Sequence, residues 1–587
     1  MDKSKAIKLI KYFAIFLWLS LLVKTDSFYS VYLLIGGLAT INLTKSKENG
    51  RHNTWLEYVF ASILSISVVL ANYPLILKTN DPKNFFVLSV FLALLVFFCG
   101  LIVFINIISI AKTLYLKTSK KQIDEPKKIF LISFLIFALI DLFIFFICSY
   151  PGSLTPDSID EIGQILSGKY SNHHPFYFTI LIYPFITIGI NLFNDINIGV
   201  ALYNIFQILV LSAAFSYSIS TLYRIGVSKK LLLIITIIMA LLPYNIIFSF
   251  TVWKDVLFGA AFLFFTVTLY RYFNKILPYK KSKLFQVILI FISGLAICLF
   301  RSNALIAMFI STVLFFIIFK KKYLRLGLIL SLIIVSAFIL KRPVLKAINV
   351  KQPDIIESLS IPSQQIIKSI KNNRDKISED DISLINNIAD TDKLTEVYNP
   401  TIHDPIKEVV RKNNNQEYIK EHALDFLSLY VRLGLQHPSN YVTAWIDITK
   451  GYWNGGYYAS WNWINDVQLN DYGIKRKSNP ILSDLFNNYI SIFHLVPLFQ
   501  PFISIGLAVW VLFLVLYRNI LSKKSENIFL LLPIILTWAT FLIATPVHNE
   551  FRYVYFLFTC LPFILVITIV NKSNILKIKR KATNEKR

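Results

Sequence analysis

The chain has 587 residues, 55% of them hydrophobic and 15% aromatic, with only 16% charged and a formal net charge of +26. A soluble chain is about a quarter charged. This composition therefore excludes a soluble enzyme, a disordered chain and a disulfide scaffold, and it demands a polytopic membrane protein. Taken alone, the charge would suggest a nucleic-acid partner, but its distribution along the chain assigns it to topology.

Residues 1–11 are basic and lead into an apolar run with no small-residue cleavage site after it, which reads as a retained first helix. Stretches apolar enough to span lie near 8–24, 28–44, 55–77, 85–110, 129–150, 199–223, 231–250, 256–273, 284–300, 304–319, 326–341, 498–517, 528–545 and 553–571. A further apolar stretch, 176–193, leaves the count open until basic clusters are considered. These fall at Lys45/Lys47/Arg51, Lys112–Lys128, Arg224/Lys229/Lys230, Arg271–Lys283, Lys320–Arg325, Arg518/Lys523/Lys524 and Lys572–Arg587. Lys and Arg concentrate on the cytoplasmic side of membrane proteins. All seven clusters fall there only if 176–193 lies along the outer interface rather than crossing. The expectation is an all-α polytopic fold of about fourteen spans with both termini inside. No nucleic acid is implied, and the basic face meets anionic inner-leaflet lipid.

The predicted organisation is a four-helix membrane region over 1–128, a membrane core over 129–341 with a loop at 151–175 and a juxtamembrane helix at 176–193, an extracytoplasmic domain over 342–497, membrane helices over 498–571 and a basic tail over 572–587. The outer domain, mixed or mostly helical, has helical patterning at Ser363–Ile370 and Glu417–Leu435 and an Asn-rich break at Asn413–Asn415. Counted with Lys341 it holds 18 basic and 18 acidic residues, so it is neutral. Cys99, Cys148, Cys298 and Cys560 all sit in apolar runs, against a disulfide network or a Cys-based metal site.

Four polar segments interrupt the apolar chain, and this topology puts all of them outside: Pro151–Glu161 continuing to His173-His174-Pro175, Trp253-Lys254-Asp255, Arg301-Ser302-Asn303, and His548–Tyr553 with Glu550 and Arg552. Charges at membrane depth are costly and mark functional cavities. Each also has a plainer reading. Lys254 and Asp255 suit a helix end, Arg301 a snorkelling anchor, Glu550 and Arg552 a local ion pair, and Asp157 a helix cap. Adjacent histidines rarely point at one ion, so His173 and His174 argue weakly for zinc. No cofactor is certain, and a divalent metal stays open.

The 151–175 loop resembles the first external loop of GT-C glycosyltransferases, such as protein O-mannosyltransferases and aminoarabinose transferases. In those enzymes an acidic residue follows a span, a short helix ends in a Gly turn, and a His/Lys-Pro element opens a juxtamembrane helix. The counterparts are Asp157 with Asp160 and Glu161, then Ser167-Gly168, then His173-His174-Pro175. The chain resembles still more closely a branch of bacterial membrane proteins with the elements PGxxTPDS…NHHP, WKD and ExRY, over roughly residues 129–571. It departs from the GT-C pattern in lacking a clean Asp-Glu pair and a second proline after Pro175, and in carrying four extra helices ahead of the core.

The resemblance implies an inverting transfer of a sugar from a polyprenyl-phosphate donor to a cell-envelope glycan such as a cell-wall polysaccharide, on the outer face of the cell membrane. Asp157 is the expected general base, with Asp160 or Glu161 next. Arg301, Lys254 and Arg552, in that order, are the expected ligands of the leaving phosphate, His174 orients a substrate, and His173, Asp255 and Glu550 support. In the outer domain, the aromatic run from Gly451 to Trp463 offers Trp453 and Trp461 as an acceptor-binding edge, with Gln364 beside it. An aromatic belt at the bilayer is the plainer reading. Two competitors remain: a polymerase or ligase using lipid-linked oligosaccharide, which would tolerate loss of Asp157, and a flippase, which would spread polar residues through the bilayer and repeat its halves.

Overall fold

In a bilayer every backbone N–H and C=O must be satisfied within the protein, which leaves the helix as the spanning element for apolar runs of this kind. A computed structural model describes residues 3–22, 29–45, 53–76, 82–118, 126–276, 282–456 and 465–570. Among them there are helices and isolated β-bridges but no strands. The longer helices are α1 (Lys3–Leu22), α2 (Tyr29–Lys45), α3 (Trp55–Ala71), α4 (Pro82–Thr113), α5 (Pro126–Cys148), α6 (Pro156–Ser167), α7 (Phe176–Phe193), α8 (Ile196–Arg224), α9 (Lys229–Leu241), α10 (Pro243–Ser249), α11 (Lys254–Phe273), α12 (Ser282–Phe300), α13 (Ser302–Phe319) and α14 (Leu324–Ile339). After the polar domain come α15 (Pro480–Leu495), α16 (Ile505–Leu521), α17 (Ser525–Phe541) and α18 (Tyr555–Ile569).

Eight helices among the described residues are long and apolar enough to cross a membrane, or nine if α9 and α10, bent by 61° at Leu242-Pro243, form one broken span. Helices over Trp55–Ala71, Leu284–Phe300, Ile505–Leu521 and Ser525–Phe541 are apolar but shorter. The chain is thus an all-α, multi-pass membrane protein.

Alternating helices bring the four polar segments to one end of the bundle. The end of α5 and the starts of α11, α13 and α18 meet there through hydrogen bonds and ion pairs, including Ser153 N–H to the Phe250 carbonyl at 2.9 Å and Arg552 to Asp157 at 2.7 Å. The opposite end holds pairs such as Lys112–Glu57 and Lys322–Glu526, both 2.7 Å.

The helix α7 is long and apolar enough to cross, yet both of its ends meet the polar-loop end. Next to its start, Asn172 donates to the Lys351 carbonyl at 2.7 Å, and the Tyr177 hydroxyl donates to the Leu340 carbonyl at 2.7 Å. Just past its end, Asn197 accepts from Lys475 N–H at 3.0 Å, two residues from Lys477, which pairs with Tyr150 at the end of α5. A spanning helix of 18 residues would separate its ends by about 27 Å across the bundle.

Residues 356–441 carry a hydrophobic core of their own, built from Ile367, Ile370, Ile382, Leu429 and Leu433 among others. Its regular elements among the described residues are all helices, joined by turns and an isolated β-bridge at Asn399–Ile402. The helix expected at Ser363–Ile370 runs over Ser360–Asn373, and the one at Glu417–Leu435 is split into Glu417–Glu421 and Ala423–Gln436. Asn414 takes the left-handed conformation (φ 52°) that ends the preceding helix at the Asn-rich break. The domain boundary is tighter than the 342–497 expected. Tyr452, Trp453, Phe486, Ile490 and Phe493 belong to the membrane bundle's core, because their apolar side chains find more cover there than in a small polar domain.

Candidate active site

The site begins with the local folding of α6. Pro156 at its first position has the φ a helix needs and no N–H to lose. Thr155 and Ser158 satisfy each other's backbone in a capping box, and Gly168 (φ 68°) closes the last turn in a conformation that a side chain disfavours. The same two capping hydroxyls stitch α6 to the start of α11. The Trp253 indole N–H donates to Thr155 Oγ1 at 2.8 Å, and Ser158 Oγ donates to the Val252 carbonyl at 2.7 Å. Behind them, the buried Gln207 amide reaches the carbonyls of Phe248, Ser249 and Thr251 at 3.1, 3.1 and 2.8 Å, caring for backbone that the α10 end leaves unpaired. Asp157 on α6 and Lys254 on α11 are thereby fixed at one level.

Around that level the basic groups converge. Arg552 donates to Asp157 Oδ2 at 2.7 Å and lies 3.7 Å from Glu550, while its guanidinium covers the rings of Trp253 and Tyr553, each at 5.2 Å. The His174 ring sits between two carboxylates, Nδ1 4.0 Å from Asp157 and Nε2 3.7 Å from Asp160, and Lys254 Nζ is 3.4 Å from its Nδ1. The Asp157 side chain keeps 28% of its exposure and that of Asp160 68%, so the cluster opens to the exterior of the bundle on their side.

Burial would raise the Asp157 carboxyl. The Arg552 guanidinium, Lys254 and His174 more than reverse this and hold it well below the usual carboxylate range. Glu161 behaves oppositely. It is 2% exposed, and burial drives its carboxyl well above the ordinary value against the pull of Lys254. Burial likewise raises Glu550, against Arg552. The cluster therefore holds an ionised acid at its mouth and protonation-prone acids behind it.

Several sequence expectations change here. Arg301, first choice for an anion, is not open to one. It is paired with Asp255, both buried, and is packed against the rings of Tyr553, Phe541 and Phe258 at 4.5, 5.6 and 5.8 Å. A guanidinium neutralised on one side and covered by aromatic faces on the others is a structural tie. Glu161 is too deep to meet a substrate. His173 is exposed and packs edge-on against the His174 ring, 4.7 Å between centroids. Among the described residues, no three His, Cys, Asp or Glu side chains are grouped to hold a metal ion.

The acceptor assignments also move. Trp453 is 7% exposed, stacks on Trp445 at 5.9 Å and donates to Thr449 Oγ1 at 3.1 Å. Gln364 is 1% exposed and donates to the carbonyls of Asn399 and Ile402. Both are interior packing residues, since each is buried and its side-chain N–H donors are taken up by local acceptors. Trp461 lies outside the described residues.

What the Gly451 segment does is hold the Arg552 loop. The fully buried Tyr452 donates its hydroxyl to the Val547 carbonyl at 2.9 Å and accepts from Glu550 N–H at 3.1 Å. Any side chain at Gly451 would collide with the His548 carbonyl at 2.3 Å. Tyr32 of α2 supports the same segment, with Asn454 Nδ2 3.1 Å from its hydroxyl, so the N-terminal helices prop the site from behind. Sequence reading missed Tyr452 because a Tyr in an aromatic run gives no sign of which backbone it will meet.

No curated protein and no solved structure matches the chain. A family model does match residues 167–585, a stretch that holds His174, Lys254, Arg301 and Arg552 and begins after Asp157. On that match over most of its length, the chain belongs to DUF6020, a family of unknown function.

Proposed function

We propose that the chain is a membrane glycosyltransferase of GT-C type. It takes a sugar from a polyprenyl-phosphate donor on the outer face of the cell membrane and passes it to a cell-envelope glycan. The observation that carries this reading is the opening in which Asp157 meets Arg552 at 2.7 Å and His174 at 4.0 Å, with Lys254 3.4 Å from that histidine. One ionised acid ringed by basic groups at the end of a membrane bundle suits a base beside a departing phosphate.

The acceptor hydroxyl attacks the anomeric carbon, the bond from that carbon to the phosphate oxygen breaks, and the hydroxyl proton passes to Asp157. Charge that collects on the leaving polyprenyl phosphate is met by Lys254 and Arg552. The Asp157–Arg552 pair gives this chemistry a trigger. A donor phosphate drawing on Arg552 withdraws the main partner that depresses the carboxyl, and burial then makes the acid more basic. His174 orients the acid.

The fourteen-span topology belongs to the same proposal. Leaving α7 as a juxtamembrane helix, counting the bent α9–α10 pair once, and adding the four shorter apolar helices together with α1 and α2 gives fourteen crossings. On this count the proposal has the basic clusters inside and the site outside. The grouping of charge at one end favours an enzyme over a flippase, which would need polar residues along a path through the bilayer. The test compares the envelope glycan of a deletion strain carrying wild type or Asp157→Asn. The proposal expects a glycan component lost on deletion and not restored by the variant. Full restoration by Asp157→Asn would remove the assigned base, and an unchanged glycan on deletion would remove the reading.

A further inference from the structure

Most of the cations described so far are already engaged with acids. A second group beside the site is not. A groove of about 880 Å³ runs between the start of α13 and the end of α14, lined by Asn172 and Ser302, close in sequence to His174 and Arg301. Its lower wall is apolar and faces outward: Ile306 is 58% exposed and Phe338 53%. Its upper wall carries Lys341, Arg342 and Lys346.

None of these three cations has a carboxylate partner among the described residues. Lys341 is the telling one. It is only 9% exposed, it borders the groove, and its one hydrogen bond is to the neutral Ser302 hydroxyl at 3.2 Å. A buried ammonium with only a hydroxyl for company is costly unless an anion joins it. Arg342 lies over the Phe338 ring at 5.9 Å, and both residues line the groove. The local backbone is built for this arrangement. The helix widens into a π-turn at Leu340–Val344 around Pro343, a feature frequent at functional sites, and the Tyr177 hydroxyl satisfies the Leu340 carbonyl.

An apolar channel of membrane depth below and three unneutralised cations above match one chemistry: an amphiphile with a phosphate head and a hydrocarbon tail. We propose that this groove binds a lipid phosphate, the head held by Lys341, Arg342 and Lys346 and the chain lying along Ile306 and Phe338. This goes beyond the transferase reading, since it concerns residues outside the Asp157 cluster and holds whether or not a sugar is transferred. Two lipids carry that chemistry, a polyprenyl phosphate and an acidic glycerophospholipid.

The test uses the full chain in phosphatidylcholine nanodiscs, with binding read by native mass spectrometry for added undecaprenyl phosphate, phosphatidylglycerol and undecaprenol. Lys341→Met should weaken binding of a phosphate-bearing lipid about tenfold. The exposed double variant Arg342→Gln/Lys346→Gln, which leaves the buried lysine in place and so guards against misfolding, should weaken it several-fold. Undecaprenol, lacking the phosphate, should not respond to either variant. Selective loss of undecaprenyl phosphate supports the site with an isoprenoid ligand, and equal loss of phosphatidylglycerol supports it with a general acidic lipid. Wild-type affinity in both variants would overturn the proposal. Asp157→Asn should bind as wild type, so a failure of the transferase reading stays separate from a failure of this one.

Discussion

Two acid–arginine pairs stand side by side at the polar end of the bundle, and they use the same residue types to opposite ends. Asp157–Arg552 is open on the acid's side, where Asp157 keeps 28% of its exposure, and lies beside His174 and Lys254. Asp255–Arg301 is sealed, with Asp255 at 1% exposure and Arg301 at 9%, under a cover of aromatic rings. The contrast teaches that an intramembrane charge is not by itself a functional residue. What separates the two is whether a path from outside reaches the acid. Tyr553 lies between them, its ring 4.5 Å from the Arg301 guanidinium and 5.2 Å from that of Arg552.

The largest effect is expected from Asp157→Asn, which keeps the side chain's size and one acceptor but removes the proposed base. A positioned general base contributes about 10²- to 10⁴-fold. Transfer measured in purified protein should fall within that range while the melting temperature moves little. Next, Asp255→Asn should act on stability instead. Removing one partner of a buried pair costs about 3–5 kcal/mol, so the variant should melt well below wild type or fail to accumulate. A stable, inactive Asp255→Asn protein would break the comparison by making the sealed pair functional.

Arg552→Gln sharpens the open side through pH. Arg552 is the principal group holding the Asp157 carboxyl down, and burial pushes it up. Without the guanidinium the folded carboxyl titrates at higher pH, so at a given acidic pH less of it is ionised. The acid limb of the transfer profile should therefore move to higher pH, beside a fall in rate from lost phosphate stabilisation. An unmoved limb would mean that another group sets it. Tyr452→Phe should be milder, at about 1–3 kcal/mol for leaving the Glu550 N–H without its buried acceptor, seen as a lowered melting temperature and a weaker apparent donor affinity. Smallest of all, Asp160→Asn at an exposed carboxylate 3.7 Å from His174 should change transfer by less than about threefold.

Much of this arrangement was legible in the sequence because topology is coded by composition. The basic clusters and four polar interruptions predicted a common rim, and Asp157, His174, Lys254 and Arg552 do meet there. What the sequence did not reveal depends on which face of a helix a residue takes. Arg301 and Asp255 are each next to an exposed-looking motif, yet both turn inward. Trp453 and Gln364 read as a sugar-binding edge, but their hydrogen bonds are spent on neighbouring backbone and hydroxyl groups that no spacing rule identifies. Lys341 went unnoticed because it is one cation among many at a domain boundary. Only the π-turn and the Ser302 contact single it out.

The central claim, that the open pair carries a transfer reaction, is most directly tested by incubating the purified chain in nanodiscs with radiolabelled polyprenyl-phosphate sugars and envelope glycan acceptor. The account predicts that wild type moves label from at least one such lipid to the glycan and that Asp157→Asn, folded to the same melting temperature, does not. Equal transfer by both proteins would contradict it.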